Sequence, residues 1–364
     1  RRIGLAALAA LLVAAVAVGW YYSGRNLGPD VPPGRTGQPI LERTDSTLTL
    51  ASTPKARRPG HWAIVWPGGH GRIGPLVSFD SARVVTRFEI ADGTPPDTTS
   101  RLAGFAVDAD PRTWLGLGFE SIEIPSRVGP LPATRAEVLR MLPAYTALGL
   151  PCLVISYRNA PDGPRVGDGS YRLGATEWKD LEDAVRWARE RGARDVVVVG
   201  CSMGGGIVAH YLRKSSERSA TRAAVLDAPA LDWSTVISDQ GRREGVPAAI
   251  TGWGMAFSAT RAGFRWDDLS HMRHAREFAT PMLIFHGDAD QTVPARTSEV
   301  FAAARPDLVT LHIVKGAGHV ESANVDPERY AATIGAWLRR HGVGHFTSVD
   351  SVLSNSASVS RVGV

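Results

Sequence analysis

A serine attacks a carbonyl efficiently only when a base takes its hydroxyl proton and a third group holds that base in place. Three stretches of this 364-residue chain carry such groups. Gly200-Cys201-Ser202-Met203-Gly204 sets a serine between two glycines. Four valines, Val196 to Val199, run into it, and the helix-forming stretch Met203 to Lys214 leaves it. A strand turning that sharply into a helix strains its central residue, and the glycines let neighbouring backbone approach closely. The serine oxygen then stands above the sheet, and the Met203 N–H at the helix start can face an oxyanion. Without those flanks the pentapeptide would read as a turn with a helix-capping serine.

The base and its orienting acid are expected after later strands. The apolar run Leu308 to Val314 leads into Lys315-Gly316-Ala317-Gly318-His319. The run Pro281 to Phe285 leads into His286-Gly287-Asp288-Ala289-Asp290-Gln291-Thr292-Val293-Pro294, so Asp288 or Asp290 could hold the imidazole of His319. Asp227, after the strand-like Ala223 to Leu226, is a lesser alternative for the acid. His286 reads as serving its own turn, and His312, inside a strand, as structural. Such a set performs acyl transfer and requires no metal or organic cofactor.

These residues need a rigid frame. From about Arg135 onward, helices alternate with apolar strands. Arg135 to Leu148 places Val138, Leu139 and Leu142 on one face, and Glu177 to Arg191 places Leu181, Ala184, Val185 and Ala188 at helical spacing. Strands are expected at Cys152–Tyr157, Asp195–Val199, Ala223–Leu226, Pro281–Phe285 and Leu308–Val314, with a closing amphipathic helix at Pro327–Arg340. That alternation predicts an α/β domain over 131–342, with a mostly parallel sheet covered on both faces. Ahead of it, 47–130 holds short strand-like stretches such as His61–Trp66 and Val84–Ile90, a small antiparallel β-rich region. No repeat is visible.

The run from about Arg135 to Leu338 resembles the α/β-hydrolase superfamily, nearest its serine-aminopeptidase and prolyl-oligopeptidase-like branches. GCSMGG, HGDADQTVP and GAGH carry the resemblance, and the chain order Ser, Asp, His is the one associated with that fold. It implies Ser202 as nucleophile, His319 as base and Asp290, over Asp288, as the acid. Met203 is the implied oxyanion donor, and esters, amides or short peptides are the implied substrates. The aromatic-rich stretch 231–277 resembles the cap that many hydrolases insert over the active site. One piece departs from the pattern. A second oxyanion donor in these enzymes follows an early strand ending His-Gly, just before the helix at Arg135–Leu148. Here Ser126 to Thr134 precedes that helix, which suggests a lost strand-plus-loop between about Leu131 and Thr134. Pro67-Gly68-Gly69-His70-Gly71 has suitable residues but lies in the β-rich region. A rival reading is therefore a catalytically impaired scaffold with this fold; an acyltransferase, which would share the triad, is another.

At the other end, Ile3 to Tyr22 carries no charge, and ~20 apolar residues can span a bilayer as a helix. Arg1 and Arg2 precede the run, and Trp20, Tyr21 and Tyr22 close it as an interfacial belt. An anchor at 1–23 is expected, with the body outside the cytoplasm, followed by a linker at 24–46. The alternative is a signal peptide cleaved near Ala15-Val16-Ala17 and a secreted body. A tail at 343–364, Ser/Val-rich from Ser348, has no packing pattern and is expected to be disordered. The +5 formal charge is small and forms no basic stripe interleaved with aromatics, so nucleic acid is not an expected partner. Cys152 and Cys201, the only cysteines, read as small buried thiols in strands, with neither disulfide nor metal spacing.

Overall fold

Alternating apolar side chains close the N-terminal strands on themselves. The computed structural model describes residues 16–28, 37–95, 98–105, 110–132 and 136–343. Strands β1 (Gln38–Arg43), β2 (Thr47–Ala51), β3 (Trp62–Trp66), β4 (Gly69–Phe79), β5 (Arg83–Asp92) and β6 (Thr99–Ala103) form a closed barrel, in the order β1-β2-β5-β4-β3-β6. Leu48, Leu50, Trp62, Ile64, Trp66, Val84 and Phe88 recur at period two and fill its interior. The expected linker at 24–46 contains β1. It pairs with both β2 and β6 and so closes the barrel, with Ile40 turned into the core. The Pro67–Gly71 stretch forms the β3–β4 hairpin, where His70 is buried against Trp114.

Trp114 also joins the barrel to the α/β domain. It lies in the short helix α2 (Pro111–Leu115), capped by Asp110, and packs with Ala63 of β3 and with Leu139 and Leu142. The helix expected over 135–148 is split into a 3₁₀ turn at Ala136–Met141 and a short α3 at Leu142–Thr146. Pro143 is the reason: it has no N–H to continue the ladder and sits where a new helix can begin.

The C-terminal α/β sheet contains β9 (Val196–Cys201), β10 (Thr221–Asp227), β11 (Met282–Gly287) and β12 (Val309–Val314), all parallel, in the order β12-β11-β10-β9. Helices α4 (Trp178–Glu190) and α5 (Met203–Lys214) cover one face, where Val185, Val208, Tyr211 and Leu212 meet Val198, Leu226 and Ile284. The other face packs Met141, Ala144 and Tyr145 with Tyr330, Ile334, Trp337 and Leu338 of the last helix at Pro327–Arg340. Those four residues fall at i, i+4, i+7 and i+8, one apolar stripe.

Cys152–Tyr157 does not form the expected strand. It runs irregularly, its Ser156 N–H donating to Pro132 O at 2.9 Å, and Cys152 is exposed rather than buried. Residues Leu131–Pro132 (β8) pair with Glu123–Ile124 (β7) in a two-stranded ladder instead of entering the sheet. The outer side of β9 therefore has no ladder among the described residues, and an apolar run with no neighbour to join stays irregular.

Between β10 and β11 the chain inserts α6 (Trp233–Arg243) and α7 (Ala248–Ala262), and α8 (Arg296–Ala304) follows β11. A helix at 16–27, here α1, lies on α7. Trp20 meets Phe257 edge-on at 6.4 Å, Asn26 Nδ2 donates to Ser258 at 3.2 Å, and Arg25 pairs with Glu244 at 2.7 Å. Leu27 is fully buried with Leu173, Phe264 and Leu269. Most of the expected anchor, residues 1–15, lies outside the described residues. Among those described, no helix is long and apolar enough to cross a membrane. The tail from 344 onward also lies outside them.

Candidate active site

Ser202 occupies the bend between β9 and α5 at φ 51° and ψ −121°, a conformation unfavourable for any residue with a Cβ. Glycine at 200 is what permits it: a Cβ there would lie 2.4 Å from Gly204 O. The bend is fixed from behind, since Ser202 N–H donates to Asp227 O at 3.1 Å and Ala230 N–H to Ser202 O at 3.0 Å. Met203 opens α5, so its N–H has no acceptor within the helix and is available to an oxyanion.

The three distant side chains meet. His319 Nε2 lies 2.8 Å from Ser202 Oγ, and His319 Nδ1 lies 2.8 Å from Asp290 Oδ2. With Nδ1 carrying the proton toward the carboxylate, Nε2 is left to accept from the serine hydroxyl. Asp290 itself is braced. Its Oδ1 accepts the Thr292 and Val293 N–H groups at 2.7 and 2.9 Å, and His286 Nε2 stands 3.3 Å from its Oδ2. Burial pushes the Asp290 carboxyl toward its neutral form, but the bonds from His286, His319 and Val293 outweigh it. The net result is a pKa well below the ordinary carboxylate range, so the acid is ionised at neutral pH.

The competing carboxylates go elsewhere. Asp288 Oδ1 accepts the Gly316 N–H at 2.6 Å and so ties the acid loop to the loop preceding His319. Asp227 is engaged elsewhere: its Oδ1 accepts the Ser322 hydroxyl at 2.8 Å, and burial raises its pKa to about 6. His286 is fully buried, with Nδ1 on Ser298 Oγ at 2.8 Å and Nε2 on Val293 O at 3.0 Å, and braces the acid turn. His312 stacks on Phe285 at 5.5 Å within the sheet. Sequence reasoning missed Ser322, Glu321 and Asn324 in and beside the helical turn α9 (Ser322–Val325), just after His319. No motif marks them; their role comes from contacts with distant segments. Among the described residues no group of His, Cys, Asp or Glu is arranged to hold a metal ion.

Residues 166–343 match the sequence model of the prolyl oligopeptidase family, the stretch that contains Ser202, Asp290 and His319. This part of the chain resembles the prolyl oligopeptidase family. The match supports a serine hydrolase. An esterase from Pyrococcus furiosus is similar to it in structure, with a TM-score of 0.50 at 17% identity, covering 65% of this chain and 97% of that one. A butyrate-bound thermophilic esterase from the planctomycete Thermogutta terrifontis gives 0.44 at 24% identity, over 58% of this chain and 80% of that one. The likeness to the first shows the α/β-hydrolase fold of the C-terminal domain. Residues 39–102, the barrel, match a domain of unknown function (DUF8805). Among curated proteins none matches the chain.

Proposed function

We propose that this hydrolase cleaves esters, amides or short peptides through an acyl-enzyme on Ser202. The observation that carries the reading is one imidazole bridging a carboxylate and a serine hydroxyl, at 2.8 Å on each side. Ser202 Oγ attacks the carbonyl carbon as His319 Nε2 takes its proton, and Asp290 stabilises the imidazolium that forms. The Met203 N–H faces the oxyanion. Collapse expels the leaving group with the proton from His319, and water, activated by the same ring, releases the acid. The α6–α7 insert serves as the cap that shapes the substrate pocket. The uncharged run Ile3–Tyr22 supports a membrane tether as the setting of this activity, with the body outside the cytoplasm.

A second reading, a weakly active or non-catalytic scaffold, is favoured by one observation: among the described residues no strand pairs with the outer side of β9, consistent with loss of the family's strand-plus-loop that would carry a second oxyanion donor. Loss of one donor costs on the order of 3 kcal/mol, roughly a hundredfold in rate. A fluorophosphonate probe separates the two. Labelling of the wild type that disappears in Ser202→Ala is the expected result, and a wild type that does not label would overturn the enzyme.

A further inference from the structure

The segment carrying His319 is gripped from two sides. From the core, Ser322 Oγ donates to Asp227 Oδ1, on the same residue whose carbonyl receives the Ser202 N–H. From the opposite direction comes the barrel. His61 N–H donates to Asn324 O at 2.7 Å, and Asn324 Nδ2 donates to both His61 O at 2.8 Å and Gly104 O at 2.9 Å. Arg58, lying over the Trp62 ring at 3.8 Å, pairs with Glu321 at 2.5 Å. Glu321 in turn accepts the Gly318 N–H at 2.9 Å, on the residue preceding His319. The fit leaves no slack at Gly60, whose φ is +102° and where a Cβ would lie 2.1 Å from Asn324 O.

The gripped segment needs such support. Val320, directly after His319, is a β-branched residue held at φ 53°, a conformation that persists only when its surroundings over-determine it. The barrel's bonds do not fall on the triad side chains. They reach residues 321 and 324, and through Glu321 the amide of residue 318, on either side of His319.

We propose that the barrel is an intramolecular brace that sets the position of His319, with Arg58, Glu321 and Asn324 as positioning residues. This gives the barrel a function inside the same chain, and it rests on His319 being the base of the proposed reaction. A general base works only in hydrogen-bond reach of the hydroxyl, and a misplacement of about 1 Å can cost about a hundredfold in rate.

The test uses the full chain, p-nitrophenyl butyrate turnover and the rate of fluorophosphonate labelling. Asn324→Ala, which removes both side-chain bonds, and Gly60→Ala, which pushes the barrel off the segment, should each lower kcat and the labelling rate roughly ten- to a hundredfold. KM should stay within about twofold, because none of these positions lies in the α6–α7 insert proposed to shape the pocket. Arg58→Gln should lower kcat by less, and Arg58→Lys should restore most of it by keeping the charge. Circular dichroism of each variant identifies any that fail to fold, and the folded ones decide. If Ser202→Ala is inactive while folded Asn324→Ala and Gly60→Ala turn over like the wild type, the brace is refuted and the hydrolase stands. If Ser202→Ala retains wild-type turnover, the hydrolase reading itself fails.

Discussion

Ser202, Asp290 and His319 stand out in the sequence because each ends a recognisable strand-to-loop transition, and because glycines mark the bends. The preference for Asp290 over Asp288 rests on family resemblance, and only the fold supplies the physical reason: Asp288 is occupied by the Gly316 amide. Asp290→Asn should leave the geometry in place but favour the wrong imidazole tautomer, lowering kcat by roughly 10⁴-fold. Steady-state turnover with p-nitrophenyl butyrate checks it. Asp227 makes a different prediction. Its folded pKa of about 6 lies above the unfolded value of ~3.9, so between those pH values the folded chain binds more protons than the unfolded one. Stability therefore falls as pH rises from about 4 to about 6, by on the order of 3 kcal/mol for this group. Asp227→Asn should flatten that slope in urea titrations run across this range. Asp290 acts with the opposite sign: its depressed pKa stabilises the fold above about pH 4 and that contribution is lost on further acidification.

Elements with strong internal signals are legible. The runs at β9 to β12 contain mostly Val, Ile, Leu and Ala, and the stripe of the last helix has a clear period. Elements that depend on partners are not. Cys152–Tyr157 has the composition of a strand, yet no neighbouring ladder exists for it among the described residues, and Pro143 divides a helix whose apolar spacing looks continuous. The apolarity of α1 says nothing of its neighbours, while its last turn is built to pack on protein. Leu27, fully buried beside Leu173, Phe264 and Leu269, shows this best. Leu27→Ala should destabilise the α1–α7 junction by about 2–5 kcal/mol, since the site would be left with a cavity. Hydrogen exchange of α7 amides in the variant measures the loss directly, and unchanged protection would contradict the packing described.

At the scale of the whole molecule, the chain joins a six-stranded barrel to a four-stranded parallel sheet through Trp114 and the turn after His319. Barrel closure is not foreseeable, because it depends on β1, in a stretch that reads as linker, pairing with strands at both ends of the barrel sequence. Among the described residues the parallel sheet ends at the strand that delivers the nucleophile, and this has a cost in handling the protein. Among the described residues no strand pairs with the outer side of β9, whose run holds four consecutive valines with Val199 38% exposed. Such a rim templates the addition of foreign strands. Heating should therefore end in turbidity rather than reversible melting. A charge at the rim, Val199→Lys, should raise the onset temperature of light scattering, so the bend that makes Ser202 reactive stands at the margin where this fold is most prone to clump.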